Sequence, residues 1–177
     1  MRAQITTSFA LGAMLLALPG AADAQQVSDA AYMKRVMTAA PPQIVHDATV
    51  VRMANGSMQT LKQGSNGFIC MEANGTPMCA DAAGMEWAHA RHEHTPPPDR
   101  TGFIYMLRGD TGTSNTDPFA AKPEAGNHWV KTGSHVMIVG PAVKAMAGYP
   151  READPNVKEP YVMWPGTPYE HLMLPIK

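Results

Sequence analysis

The sequence predicts an α+β fold: one antiparallel β-meander sheet with two or three short helices packed on it, in a single domain. Three observations predict it. Two Asn-Gly dipeptides, Asn55-Gly56 and Asn74-Gly75, each sit between short runs of strand-forming residues, the pattern of two-residue hairpins. Four strand candidates follow one another between residues 48 and 80 with no helical segment among them, which argues against βαβ units there. Segments of helical character on either side begin with a capping residue and end in prolines.

Residues 1–24 read as an address and not as part of the fold. Arg2 supplies a positive start, residues 9–18 an apolar run, Pro19-Gly20 a break and Ala22-Asp23-Ala24 a small-x-small cleavage site. The mature chain is therefore expected to begin at Gln25, in the periplasm or outside the cell. A membrane span needs roughly twenty apolar residues, and no cysteine stands near the cleavage point to take a lipid, so no membrane anchor is expected. Residues 25–177 form a single globular exported domain, long enough to bury a core. The formal net charge is −1 with no run of like charge, which argues against nucleic acid as a partner.

Ser28-Asp29 followed by Met33, Val36, Met37 and Ala40 gives a capped amphipathic helix that Pro41-Pro42 stops. Residues 48–54 and 57–63 then form a hairpin with Met53 against Met58 and Val51 against Thr60. A looser turn at residues 64–66 leads into the second hairpin. Counting outward from Asn74-Gly75 pairs Ala73 with Thr76, Glu72 with Pro77, Met71 with Met78 and Cys70 with Cys79. The cysteines fall at a non-hydrogen-bonded pair, where Cα atoms lie about 4.5 Å apart, inside the range of a disulfide. Oxidising compartments are where such bridges persist; the alternatives are two reduced core residues or a metal pair. Pro77 is tolerated if its strand is a sheet edge.

Asp81 caps a second helix over residues 82–94, closed by Thr95 and three prolines. Residues 102–107, 134–139, 160–164 and 171–176 are short strands rich in β-branched, aromatic and Met residues, and residues 142–147 make a helical turn or two.

A series of short strings resembles a family of exported bacterial proteins to which no activity is assigned. They are Asn66, Cys70-Met71, Pro77-Met78-Cys79, Gly84-Met85-Glu86-Trp87, Tyr105-Met106-Leu107, the run from Ser114 through Phe119, His135-Val136-Met137, Tyr161-Val162-Met163-Trp164, Gly166-Thr167-Pro168-Tyr169 and His171-Leu172-Met173. The resemblance implies export and one compact domain. It transfers no catalytic residue.

Three places carry side chains suited to chemistry. The first is His89, His92 and His94 with Glu86 and Glu93 near the end of the second helix; neither H-E-x-x-H nor H-x-x-E-H fits, and histidines also suit a solvated helix C-terminus. These histidines are not a fixed feature of the family resembled. The second is the loop 109–127, where Asp110, Ser114, Asn115 and Asp117 offer oxygens for calcium, although the spacing misses the twelve-residue calcium loop and the same residues form Asx and Ser/Thr turns. The third is a repeated His-x-Met, His135-Val136-Met137 and His171-Leu172-Met173. In strands each His and Met share a face, and imidazole with thioether is a ligand set that suits copper as Cu(I). Methionine is also an ordinary core filler.

No G-x-S-x-G elbow, phosphate loop or dinucleotide fingerprint occurs, so a hydrolase of unknown substrate is an alternative without an assigned triad. The leading expectation is an exported binding or interaction domain without catalytic activity. Its partner would be a small molecule or a protein, held in a cleft lined by Trp129, Tyr161, Trp164, Tyr169 and the polar loop. Copper binding through His135, Met137, His171 and Met173 is the alternative, with His89, His92 and Glu93 behind it.

Overall fold

A computed structural model describes residues 27–176, and the expected leader and its cleavage site lie outside them. The elements in chain order are α1 (Asp29–Val36), α2 (Pro42–Val45), β1 (Thr49–Ala54), β2 (Ser57–Lys62), β3 (Ile69–Ala73), β4 (Thr76–Ala80), α3 (Ala82–His92), β5 (Gly102–Met106), β6 (Thr113–Ser114), β7 (Trp129–Val130), β8 (His135–Val139), a 3-10 helix (Pro141–Ala145), β9 (Tyr161–Met163) and β10 (His171–Pro175). Eight strands form one sheet in the order β2-β1-β3-β4-β5-β8-β10-β9, and β6 with β7 makes a small separate ribbon. The α+β class holds, with three short α-helices. No helix among the described residues is long and apolar enough to cross a membrane.

Both hairpins take the register counted from their Asn-Gly turns. Met53 faces Met58 and Val51 faces Thr60; Ala73, Glu72, Met71 and Cys70 face Thr76, Pro77, Met78 and Cys79. Asn55 and Asn74 have φ of 51° and 50°, each followed by a glycine at 76°, as a type I′ turn requires. The Cys70 and Cys79 sulfurs are at disulfide distance, 2.01 Å, across a Cα separation of 4.0 Å.

The sheet is not a plain meander, because β3 runs parallel to β1. The turn at residues 64–66 does not return the chain alongside β2. Ser65 and Asn66 donate their N–H groups to Asp47 O and Thr49 N–H bonds Phe68 O, so the connection wraps the start of β1 and delivers β3 to its far side. Gly64 permits that wrap: a Cβ there would lie 2.2 Å from the Ala48 carbonyl carbon. Strand β4 is correspondingly interior, between β3 and β5, and Pro77 is accommodated because the β4–β5 ladder runs only through Cys79 and Ala80.

Helix α1 is capped by Ser28, but it ends at Val36, and Pro42 opens α2 as its first residue. Its buried side chains are Tyr32 and Val36, with Met33 only half-buried. The Tyr32 hydroxyl donates to Val51 O at 2.9 Å and accepts from Glu72 N–H at 3.1 Å, tying the helix to β1 and β3. With Ala39, Ala40, Val45, Val50 and the disulfide it covers one face of the sheet at that end. The 3-10 helix covers the same face at the other end through Val143 on Val162 and Leu172.

The opposite face carries the largest cluster, in which Met78, Ile104, Val139, Tyr161, Met163 and Met173 from the sheet meet Trp87 of α3 and Trp164. Burying each of these large side chains contributes roughly 1.5–3 kcal/mol. Asp81 joins α3 to β5 by accepting from Gly84 N–H at 2.7 Å and from Phe103 N–H at 3.2 Å. Gly84 and Gly102 let that helix approach the strand closely: a Cβ on Gly102 would lie 2.3 Å from Gly84 N.

Candidate functional site

The two His-x-Met segments are strands β8 and β10, and they are antiparallel, hydrogen-bonded neighbours. Their register sets Met137 directly opposite Met173, His135 opposite Pro175 and His171 opposite Val139. All four predicted side chains therefore lie on one face, the face that α3 packs against, while Val136, Ile138, Leu172 and Leu174 occupy the other. They do not form one four-ligand centre. His171 aligns with a residue four positions from His135, which separates the two histidines by roughly 13 Å along the strands.

The neighbouring strands bring two methionines that the sequence reading did not include. Met106 of β5 stands opposite His135, and Met163 of β9 stands opposite His171. Methionine on a strand is an ambiguous signal, and strand order, which identifies these cross-strand partners, is not written in local sequence.

Each histidine is held the same way. His135 Nδ1 donates to Gly133 O at 2.7 Å and His171 Nδ1 to Tyr169 O at 3.0 Å, in both cases the carbonyl two residues earlier. A carbonyl only accepts, so the proton sits on Nδ1 and the lone pair on Nε2. Both imidazoles are about 1% exposed, and burial is the main cause that holds their pKa below the usual histidine value, for His171 at about 4. His171 Nε2 has no hydrogen-bond partner among the described residues. Its ring is edge-on to Trp87 and to Trp164, with centroids at 5.1 and 4.8 Å.

Next to His135 in charge interaction is the half-buried Asp110. Asp110 accepts from Gly112 N–H at 2.9 Å and Thr132 N–H at 3.1 Å, and burial raises its pKa against the opposing effect of His135. Thr132 Oγ1 meets the Tyr161 hydroxyl at 2.8 Å, and burial pushes that phenol up to about 12.

Most of the loop's polar groups are already in use, although Asn115 Oδ1 is buried with no partner among the described residues. Ser114, fully buried, accepts from Thr116 and Asp117 N–H and donates to Asn127 O; Asp117 accepts from Phe119 N–H; Asn115 donates to Glu152 O and Ala153 O. They build Asx and Ser/Thr turns, and the Ser114 hydroxyl is closed to solvent. The loop also gains a two-stranded ribbon, since Thr113 and Ser114 pair with Val130 and Trp129.

The expected aromatic cleft is closed. Tyr161, Trp164 and Tyr169 are core residues, and Trp129 lies half-buried over Gly112, apart from them in the ribbon. Trp164 takes a left-handed φ of 55°; its backbone N–H donates to Asn115 O and its indole N–H to Ser114 O, and its ring lies 6.1 Å from Trp87 with the Arg91 guanidinium 5.0 Å from the ring centroid. An open concavity of about 370 Å³ lies elsewhere, at Val27, Ser28, Asp29, Arg52 and Gln59, where Arg52 is paired with Asp29.

No family model, curated protein or solved structure matches this chain. His89, His92 and Glu93 are exposed at the end of α3, and no group of three or more His, Cys, Asp or Glu side chains among the described residues is placed to hold a metal ion. The face of β5, β8, β10 and β9 gathers thioethers and imidazoles from neighbouring strands.

Proposed function

We propose that this is an exported binding domain, and that its ligand is a soft monovalent metal ion, Cu(I), held on the methionine and histidine face of the sheet. The supporting observation is the register of β5, β8 and β10, which sets His135 beside Met106 and two residues from Met137. Thioether and neutral imidazole are the ligand types that favour Cu(I) over harder divalent ions. A ligating histidine characteristically donates its other ring N–H to a backbone carbonyl, as His135 does to Gly133 O. Met106 and Met137 are half-buried, so this end of the face can be reached from solvent. Export through the leader read in residues 1–24 would deliver the domain to an oxidising compartment, in keeping with the Cys70–Cys79 pair.

Competition for Cu(I) between the metal-free protein and a chromogenic chelator tests the reading. His135→Ala and Met137→Leu are expected to weaken binding at least tenfold, and Met137→Leu separates that loss from a folding defect because it nearly conserves volume. Equal chelation by parent and variants would replace the metal by a protein or small-molecule partner.

A further inference from the structure

The face around β8 and β10 repeats itself. An antiparallel strand pair has a local two-fold axis perpendicular to the sheet, and here it passes near Met137 opposite Met173. Turning about it exchanges His135 with His171, Met137 with Met173, and the outer strand β5 carrying Met106 with the outer strand β9 carrying Met163. The second-sphere contact repeats too, because each Nδ1–H meets the carbonyl two residues back in its own chain. From this, and resting on the copper reading above, we propose a second Cu(I) site made by His171, Met163 and Met173, equivalent in ligands to that of His135, Met106 and Met137.

An independent feature points to His171 as a ligand. Its Nε2 is buried with no hydrogen-bond partner among the described residues, an arrangement that costs stability in the metal-free protein and that ligation would relieve. Three donors, one imidazole and two thioethers, fit the low coordination numbers that suit Cu(I). The two sites differ in access. Met163, Met173 and His171 are each 1–2% exposed and sit under Trp87 and Trp164, whereas Met106 and Met137 reach the surface. The outer site fills first, and the inner one fills only as the tryptophan cover yields. The inner ion would lie against two indoles, so its arrival quenches tryptophan emission.

The experiment is an anaerobic titration of the disulfide-bonded protein with Cu(I) in the presence of bathocuproine disulfonate, reading both chelator absorbance and tryptophan emission. Two equivalents are expected for the parent protein. Met163→Leu/Met173→Leu should lose the equivalent that quenches emission, and Met106→Leu/Met137→Leu should lose the other. One equivalent that disappears in His135→Ala and survives Met163→Leu/Met173→Leu overturns the second site and leaves the first. Two equivalents that both survive Met163→Leu/Met173→Leu overturn it as well, and no bound copper at all overturns both readings.

Discussion

His171 shows how one buried imidazole couples the fold to pH. Its folded pKa, about 4, lies below the ordinary 6.5, chiefly through burial. The unfolded chain therefore takes up the proton first, so stability conferred by the neutral ring is complete above about pH 6.5 and is lost as pH falls toward about 4, where the loss levels off. At about 1.4 kcal/mol per unit, the full loss approaches ~3 kcal/mol for the metal-free protein. His135 shifts in the same direction and adds to it. Urea midpoints at pH 7.5 and pH 4.5 check this: the parent should lose stability on acidification, and His171→Leu should lose clearly less. An unchanged pH slope in that variant would assign the proton to another group.

Among the elements, the β3–β4 hairpin and the α3–β5 contact answer to single residues. The Cys70–Cys79 loop is short, and removing the bridge as Cys70→Ala/Cys79→Ala is expected to lower stability by about 2–3 kcal/mol while the Asn74-Gly75 turn keeps the register. Intact mass with thiol trapping, before and after reduction, reports the bridge directly; two free thiols without reductant would refute it. Gly102→Ala drives a Cβ to 2.3 Å from Gly84 N and 2.7 Å from the Ala83 carbonyl carbon, atoms of a helix backbone that cannot rotate aside. A loss of at least ~2 kcal/mol in denaturant unfolding is expected. These cases also show what could be read from the chain. Asn74-Gly75 carries its geometry in two residues, and Asp81 carries its cap in one, so hairpin register and helix start were legible. Whether Gly64-Ser65-Asn66 returns the chain beside β2 or wraps it around β1 depends on bonds to Asp47, seventeen or more residues back, and no local pattern encodes that. The same holds for the site: parity put His135 with Met137 and His171 with Met173, but Met106 and Met163 became neighbours only through strand order.

Across the whole molecule the sheet stands between the cysteine pair and the methionines of its own central strands. Parity along β3 and β4 sends Cys70 and Cys79 to the face under α1, and Met71 and Met78 to the face of α3. The methionines of β5, β8, β9 and β10 discussed above continue that second face, so the cysteine sulfurs and these thioethers are separated by the thickness of a β-sheet, while Met33 and Met37 share the cysteine side. On the copper proposal above, the oxidised cysteine pair offers no thiolate and the metal would be left to the thioethers, weaker ligands that are themselves open to oxidation to the sulfoxide. Reduced, the same pair becomes two thiols facing each other across one rung, a stronger Cu(I) ligand set than any Met or His combination on the other side. The preference of this protein for one face over the other would then be set by the thiol potential of its surroundings and not by copper. A domain handled in dithiothreitol and one handled in air would then offer a soft metal two different ligand sets from the same sequence.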